Sequence, residues 1–246
     1  LSQPLDIDGH IVEDHEPIEG MATLREILAL SSNIGAARLA LRLGGARQRA
    51  YLERLWFAAP AQLQLGRNQA PIAPAARGRR DVAGLGFGYG LAATPASLAS
   101  AYTVFVNGGA RVAPTLVPRA SDQPLERTQV FSVETTQRVL GYLRAVVTEG
   151  TGRAADVPGL AVAGKTGTAQ VIGMKQGEKY DEKKVAERHR DHSLFVVFAP
   201  VESPKIALMV IVENGGFGAR AVIGRRATEL GAPVIWLEEA LPGKAG

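Results

Sequence analysis

The sequence predicts an α+β fold, an antiparallel sheet with flanking helices and a helical subdomain, and three observations carry that prediction. Capping signals open apolar runs with helical spacing between residues 23 and 148. Residues 193–199 (SLFVVFA) and 205–212 (KIALMVIV) are strand-like runs joined by the five residues Pro200 to Pro204, the pattern of a hairpin. Residues 160–163 (LAVA) form an apolar approach, like a buried strand, into Gly164-Lys165-Thr166-Gly167-Thr168.

Taken in order, residues 1–22 carry Pro4, Gly9, Pro17 and Gly20 among acids and are expected as a solvated loop. His10 and His15 lie there, but the carboxylates lack ligand spacing, so no metal site is expected. Thr23-Leu24-Arg25-Glu26 is a capping box that opens a helix through about Leu30. Ser31-Ser32-Asn33 follows, then a second helical pattern, IGAARLALRL, stopped by Gly44-Gly45. Three interrupting polar residues between two apolar helices either cap the second helix or form a short turn that lifts Ser31 and Asn33 into a cleft. Residues 46–57 continue as an amphipathic helix, and 58–84 read as a surface excursion rich in Ala, Pro and Gly.

Residues 84–90 (GLGFGYG) are a glycine-dense loop without the dinucleotide fingerprint. Thr94 and Pro95 start a core helix that ends at Asn107-Gly108-Gly109. Residues 110–131 are strand and loop, and Ser132 opens a helix to about Thr148. After the lysine strand, residues 173–192 are so highly charged that an exposed, mobile loop is expected. The last segment, about 220–241, reads as an amphipathic helix broken or kinked at Pro233. The helical part thus covers about 23–150, and the sheet with its C-terminal helix about 158–241.

The 246 residues are 46% hydrophobic and 21% charged, an ordinary globular composition. The net charge of +4 is spread out, and the densest basic group (Arg77, Arg79, Arg80) lacks aromatic stacking partners, so no nucleic-acid surface is expected. Zero cysteines exclude disulfides, thiol catalysis and cysteine–zinc sites. No stretch reaches the roughly 18–20 apolar residues of a membrane helix.

Chemistry concentrates at AGKTGTAQV, residues 163–171. A strand glycine marks close approach by another backbone. Lys165 can hold an anion as a point charge, and the Thr166 and Thr168 hydroxyls can donate to a carboxylate. Together they suit a peptide that ends in a carboxylate. The competing reading is an ordinary lysine at a strand end. Residues 159–166 (GLAVAGKT) also fit the letters of a phosphate loop. The strand-like interior and the Gly167-Thr168 pair argue against one, and nucleotide binding stands as a lesser alternative.

S-S-N followed by K-T-G-T matches two of the three motifs of penicillin-recognising serine enzymes, S-x-x-K, S-x-N and K-T-G. Nearly the whole chain, from about Thr23 to Ala240, resembles the transpeptidase domain of class B penicillin-binding proteins. ALSSNIGAARLAL and GFGYGLAATPASLASAY look like the division-type members; AGKTGTAQV and RDHSLFVVFAPVESPKIALMVIVENGGFG look like the elongation-type members. The resemblance implies the penicillin-binding protein/serine β-lactamase-like fold. It also implies a cofactor-free enzyme that attacks the D-alanyl-D-alanine end of a peptidoglycan stem peptide, forms a serine acyl-enzyme and transfers the acyl group to a neighbouring stem. β-Lactams trap that acyl-enzyme.

By the same resemblance Ser31 relays protons, Asn33 holds the substrate's side-chain amide, and Lys165 hydrogen-bonds Ser31 and supplies positive potential. Thr166 and Thr168 grip the terminal carboxylate across Gly167, with the Thr168 N–H as an oxyanion donor. Stem peptides, β-lactams and, in the parent protein, a glycosyltransferase are the implied partners, at the periplasmic face of the bacterial inner membrane.

One departure is sharp. The residues three before the seven lysines are Val162, Ile172, Gln176, Tyr180, Asp181, Glu202 and Leu241, so the chain contains no S-x-x-K. Thirty residues precede Ser31, and the first is Leu1 rather than Met. The expectation is a partial transpeptidase domain, truncated just after the nucleophile motif, without its membrane anchor and inactive as it stands. The alternatives on the same fold are a serine β-lactamase, a β-lactam sensor, or a non-catalytic domain.

Overall fold

Asp8 and Gly9 both adopt positive φ, 52° and 81°. That is the backbone of a two-residue hairpin turn, for which Asp-Gly is a favoured pair. Residues 1–22, expected as a loop, therefore hold a hairpin: β1 (Leu5–Ile7) pairs antiparallel with β2 (His10–Val12), with Leu5 opposite Val12 and Ile7 opposite His10. The computed structural model describes residues 1–57, 71–72, 78–118, 124–171, 181, 184–216 and 234–236. They divide into two units, Leu1–Val104 with Ala110–Ser132, and Phe105–Gly109 with Val133–Gly246.

In the first unit, α1 (Leu24–Ala29) begins at the expected capping box: the Thr23 hydroxyl accepts from Glu26 N (3.2 Å), and Glu26 Oε2 accepts from Thr23 N (2.7 Å). Its neighbour α2 (Asn33–Leu43) ends at Gly44, whose φ of 86° suits only glycine comfortably. Next comes α3 (Gly45–Arg54). The surface excursion expected over 58–84 is partly wrong, because α4 (Arg79–Gly86) occupies its end and continues into the glycine-dense stretch. Residues 58–70 and 73–77 lie outside the described residues. Only the end of GLGFGYG is a turn, with Gly88 at φ 91° and Gly90 at 80°.

Gly86 explains why a helix can carry so many glycines: a Cβ there would stand 2.6 Å from Ala40 Cβ and 2.8 Å from the Ala36 carbonyl oxygen. Thus α4 meets α2 at backbone distance. The core of this unit joins the hairpin to that helix pair through Ile7, Val12, Ile34, Ala37 and Ala83. Burying each of the larger aliphatic side chains contributes roughly 1.5–3 kcal/mol. As expected from Thr94-Pro95, α5 (Pro95–Thr103) starts with the Thr94 hydroxyl accepting from Ser97 N at 3.1 Å. A short antiparallel pair, β3 (Ala110–Val112) with β4 (Arg127–Gln129), completes the unit.

The second unit is a four-stranded antiparallel sheet and the helix α6 (Val133–Thr148). The strands β5 (Ala163–Ala169), β6 (His192–Ala199), β7 (Ile206–Val212) and β8 (Val234–Trp236) are neighbours in chain order. The β6–β7 hairpin is the one expected, with Phe195 opposite Val210 and Phe198 opposite Ala207. Although the sequence groups α6 with the helical part, it packs on β5 here: Arg144 donates to the Val162 carbonyl (2.8 Å) and pairs with Asp156 (3.0 Å). Val147, Val162, Phe195 and Val210 form the core between helix and sheet.

Two expectations fail in this unit. Residues 234–236, inside the expected C-terminal helix, are strand β8; Val-Ile-Trp directly after Pro233 is β-branched and aromatic, and it pairs with the edge of β7. The rest of 220–241 lies outside the described residues. The charged stretch 173–192 is not all exposed. Asp191 is buried, with Oδ1 accepting from Val171 N at 3.2 Å and its carbonyl accepting from Gly216 N at 2.9 Å. The same corner holds the Ser193 hydroxyl, which donates to the Gly216 carbonyl at 2.8 Å. Residues 172–180 and 182–183 lie outside the described residues.

Candidate active site

The six expected site residues fall in two places. Ser31 and Asn33 belong to the first unit, and Lys165, Thr166, Gly167 and Thr168 to the second.

At the first place, α1 stops and the chain turns sharply, with Ser31 N donating to the Leu28 carbonyl and Ser32 N to the Ile27 carbonyl. Ser31 takes φ 58°, left-handed backbone that costs a residue with a Cβ about 1–3 kcal/mol and that clusters at functional sites. Of the two sequence readings of this turn, the cap is observed, at the middle residue. The cap is Ser32, buried, whose hydroxyl accepts from Gly35 N at 2.9 Å. Ser31, just before it, is exposed, and Asn33 opens the helix half-buried. The Asn33 amide donates to the Glu13 carbonyl at 3.2 Å.

At the second place, Gly164–Thr168 lies inside β5 and is paired residue by residue with β6, from Gly164 opposite Val197 to Thr168 opposite Ser193. That removes the phosphate-loop alternative, since such a loop needs irregular backbone ahead of a helix. β5 ends the sheet order, and no other described strand pairs with its outer side. An edge strand of this kind can bind an extended peptide through its main chain.

Strand alternation puts Lys165 and Gly167 on one face and Thr166 and Thr168 on the other. Lys165 is half-buried and donates to the Thr166 carbonyl at 3.0 Å. Burial disfavours its charged form and pushes its pKa down to about 8. At pH 7 it therefore still carries its charge for the most part and can supply positive potential. Thr166 is buried, and its hydroxyl lies 2.6 Å from that of Thr151 in the turn after α6. Thr168 is exposed.

The two glycines differ. A Cβ on Gly164 would stand 2.3 Å from the Val196 carbonyl oxygen, so the fold itself demands glycine there. A Cβ on Gly167 would meet only Leu194, at an ordinary 3.5 Å. Nothing in the fold demands Gly167, and a strand glycine without a packing reason points to a ligand's approach.

Sequence reasoning missed Thr151, read as part of a plain turn, and Asp14, read as part of a solvated loop. Asp14 accepts from the Ser32 hydroxyl (2.6 Å) and from Ile34 N (2.9 Å). No local signal marks either residue, because their partners lie 15 and 18–20 positions away.

Residues 2–233 match the penicillin binding protein transpeptidase domain. The chain is 34% identical over 206 residues to a probable peptidoglycan D,D-transpeptidase FtsI of Caulobacter vibrioides, covering 82% of this chain and 34% of that protein. It is 31% identical over 224 residues to stage V sporulation protein D of Bacillus subtilis, covering 83% of this chain and 33% of that protein. Its fold is similar to penicillin binding protein 3 of Mycobacterium tuberculosis, solved in complex with aztreonam, at a TM-score of 0.76 and 26% identity over 93% of this chain and 55% of that one. The chain spans about a third of the length of the curated relatives it matches. Capped helices, a sheet edge bearing K-T-G-T and this match over nearly the full length agree: the chain belongs to the penicillin-binding protein transpeptidase family.

Proposed function

We propose that this chain supplies the S-x-N and K-T-G-T parts of a peptidoglycan D,D-transpeptidase, and that the acylating serine of S-x-x-K comes from sequence outside these 246 residues. The observation that carries the proposal is β5, an edge strand with a half-buried lysine and, on the same face, a glycine at 167 for which the fold shows no packing reason.

The serine oxygen attacks the carbonyl carbon of the penultimate D-alanine. The C–N bond breaks, and the terminal D-alanine leaves as an amine that takes up a proton. An amine of a neighbouring stem then attacks the ester, the C–O bond breaks, and the serine regains its proton. Ser31 relays both protons, and Lys165 stabilises the Ser31 oxygen and supplies positive potential. Asn33 holds the stem's side-chain amide. The Thr168 hydroxyl binds the terminal carboxylate. The Thr166 hydroxyl joins it when Thr151 donates to Thr166 and frees its proton. The Thr168 N–H stabilises the oxyanion. We place this chemistry at the periplasmic face of the inner membrane, beside a glycosyltransferase that makes the glycan strand.

A β-lactamase on the same fold differs in the fate of the acyl-enzyme, because hydrolysis needs a base that activates water; a sensor keeps the adduct but transfers no acyl group to a stem-peptide amine. A non-catalytic domain differs in lacking a nucleophile altogether. The test is the protein expressed from its complete reading frame and incubated with penicillin. One adduct per molecule on an S-x-x-K serine, deacylating over hours, is the expected outcome. Rapid turnover would identify a β-lactamase, and no adduct would leave a non-catalytic domain.

A further inference from the structure

We infer that Asp14 is a positioning residue that fixes the Ser31-Ser32-Asn33 turn for proton transfer. The inference rests on reading Ser31 and Asn33 as site residues.

Two consecutive residues after β2 hold three consecutive residues at the start of α2. Asp14 Oδ2 accepts from the Ser32 hydroxyl at 2.6 Å, Asp14 Oδ1 accepts from Ile34 N at 2.9 Å, and the Glu13 carbonyl accepts from the Asn33 amide at 3.2 Å. The Ser32 hydroxyl is thereby fixed in both directions, giving its proton to Asp14 and a lone pair to Gly35 N. Together Asp14 and Ser32 satisfy the helix's second and third N–H groups, which otherwise lack partners. A carboxylate suits this end of a helix, where the backbone dipole is positive, and its hydrogen bonds are of the stronger, charge-assisted kind.

The grip is tight where the motif needs it. Ser31, at φ 58°, has no preference of its own for this backbone, so its neighbours must impose it. Ser32 is buried, and its contact with Asp14 anchors the residue between the two expected site residues. The hairpin carrying Asp14 is itself pinned to α2 and α4 through Ile7 and Val12. The hairpin thus links the unit's core to the S-x-N turn, although neither Glu13 nor Asp14 belongs to any of the three motifs.

A cap that serves stability alone would change how much protein is folded; a positioning residue changes how fast the folded protein reacts. The experiment measures penicillin acylation, on the protein from its complete reading frame, as a rate constant and a burst amplitude. Asp14→Ala is expected to lower the rate constant about 100-fold, the order of loss that misplacement by about 1 Å produces, with the non-covalent affinity little changed. Asp14→Asn can still accept from Ile34 N through its oxygen, but the NH2 then facing Ser32 cannot take the Ser32 proton, and about a tenfold loss is expected. If either variant loses amplitude while its folded fraction acylates at the wild-type rate, Asp14 is a structural cap only and the inference is overturned. If the wild-type protein forms no adduct, the transpeptidase reading falls and takes this inference with it, an outcome distinct from variants that react normally.

Discussion

Gly164→Ala is expected to destabilise the sheet unit by about 3 kcal/mol or more, at the upper end of what overpacking costs. The obstacle is the Val196 carbonyl oxygen, 2.3 Å from the added carbon, with the Phe195 ring at 3.0–3.1 Å beside it. A carbonyl in a paired strand cannot swing aside as a flexible side chain does, and Phe195 is 4% exposed and part of the core. The strand must shift or lose its pairing with β6. Gly167→Ala, three residues on, meets only Leu194 at 3.5 Å and should change stability by less than about 0.5 kcal/mol. Urea denaturation of both variants checks the contrast. Similar midpoints for the two would mean that the β6 backbone does not approach Gly164 as closely as 2.3 Å from the added carbon.

Lys165→Met should stabilise the folded protein at pH 7 while slowing acylation about 100-fold or more. Burial lowers the lysine's pKa from 10.5 to about 8, so at pH 7 the fold holds an ammonium at a cost. Between about pH 8 and 10.5 the unfolded chain binds more protons than the folded one, and wild-type stability therefore rises with pH across that window. The penalty is present in full below about pH 8 and gone above about 10.5. Methionine keeps the unbranched side chain, one atom shorter, without the charge, so the variant should gain roughly 1–3 kcal/mol at pH 7, and the gain should vanish above pH 10.5. Chemical denaturation at pH 7, 9 and 11 measures the difference directly. A variant less stable than wild type at pH 7 would show that the lysine's charge is stabilised in the fold. Gain of stability with loss of function is the expected mark of a residue kept for its chemistry.

The parts of this protein legible from sequence are those whose partners are close in sequence or whose pattern is long. The capping box at Thr23, the Thr94-Pro95 start and the β6–β7 hairpin all appear where the sequence places them. K-T-G-T is legible because its four residues are consecutive on one strand. Short elements are hidden. β1 and β2 have three residues each, and the Asp8-Gly9 turn signal is lost among nearby prolines, glycines and acids. α4 contains Gly84 and Gly86, which look like a loop until Ala36 and Ala40 are seen to require the glycine at 86. Residues that act through distant partners are hidden altogether. Asp14 and Thr151 carry no motif, and only the fold brings them to Ser32 and Thr166.

The proposed function requires Ser31 and Lys165 to be functionally coupled. A double-mutant cycle of Ser31→Ala and Lys165→Met tests it, read as the rate of penicillin acylation in the protein from its complete reading frame. If Ser31 relays the proton and Lys165 acts by stabilising the Ser31 oxygen, each single change should cost about 100-fold or more, and the double variant should be no worse than about tenfold below the slower single. Losses that multiply in full, or a single variant that acylates at the wild-type rate, would show that Lys165 does not act through Ser31.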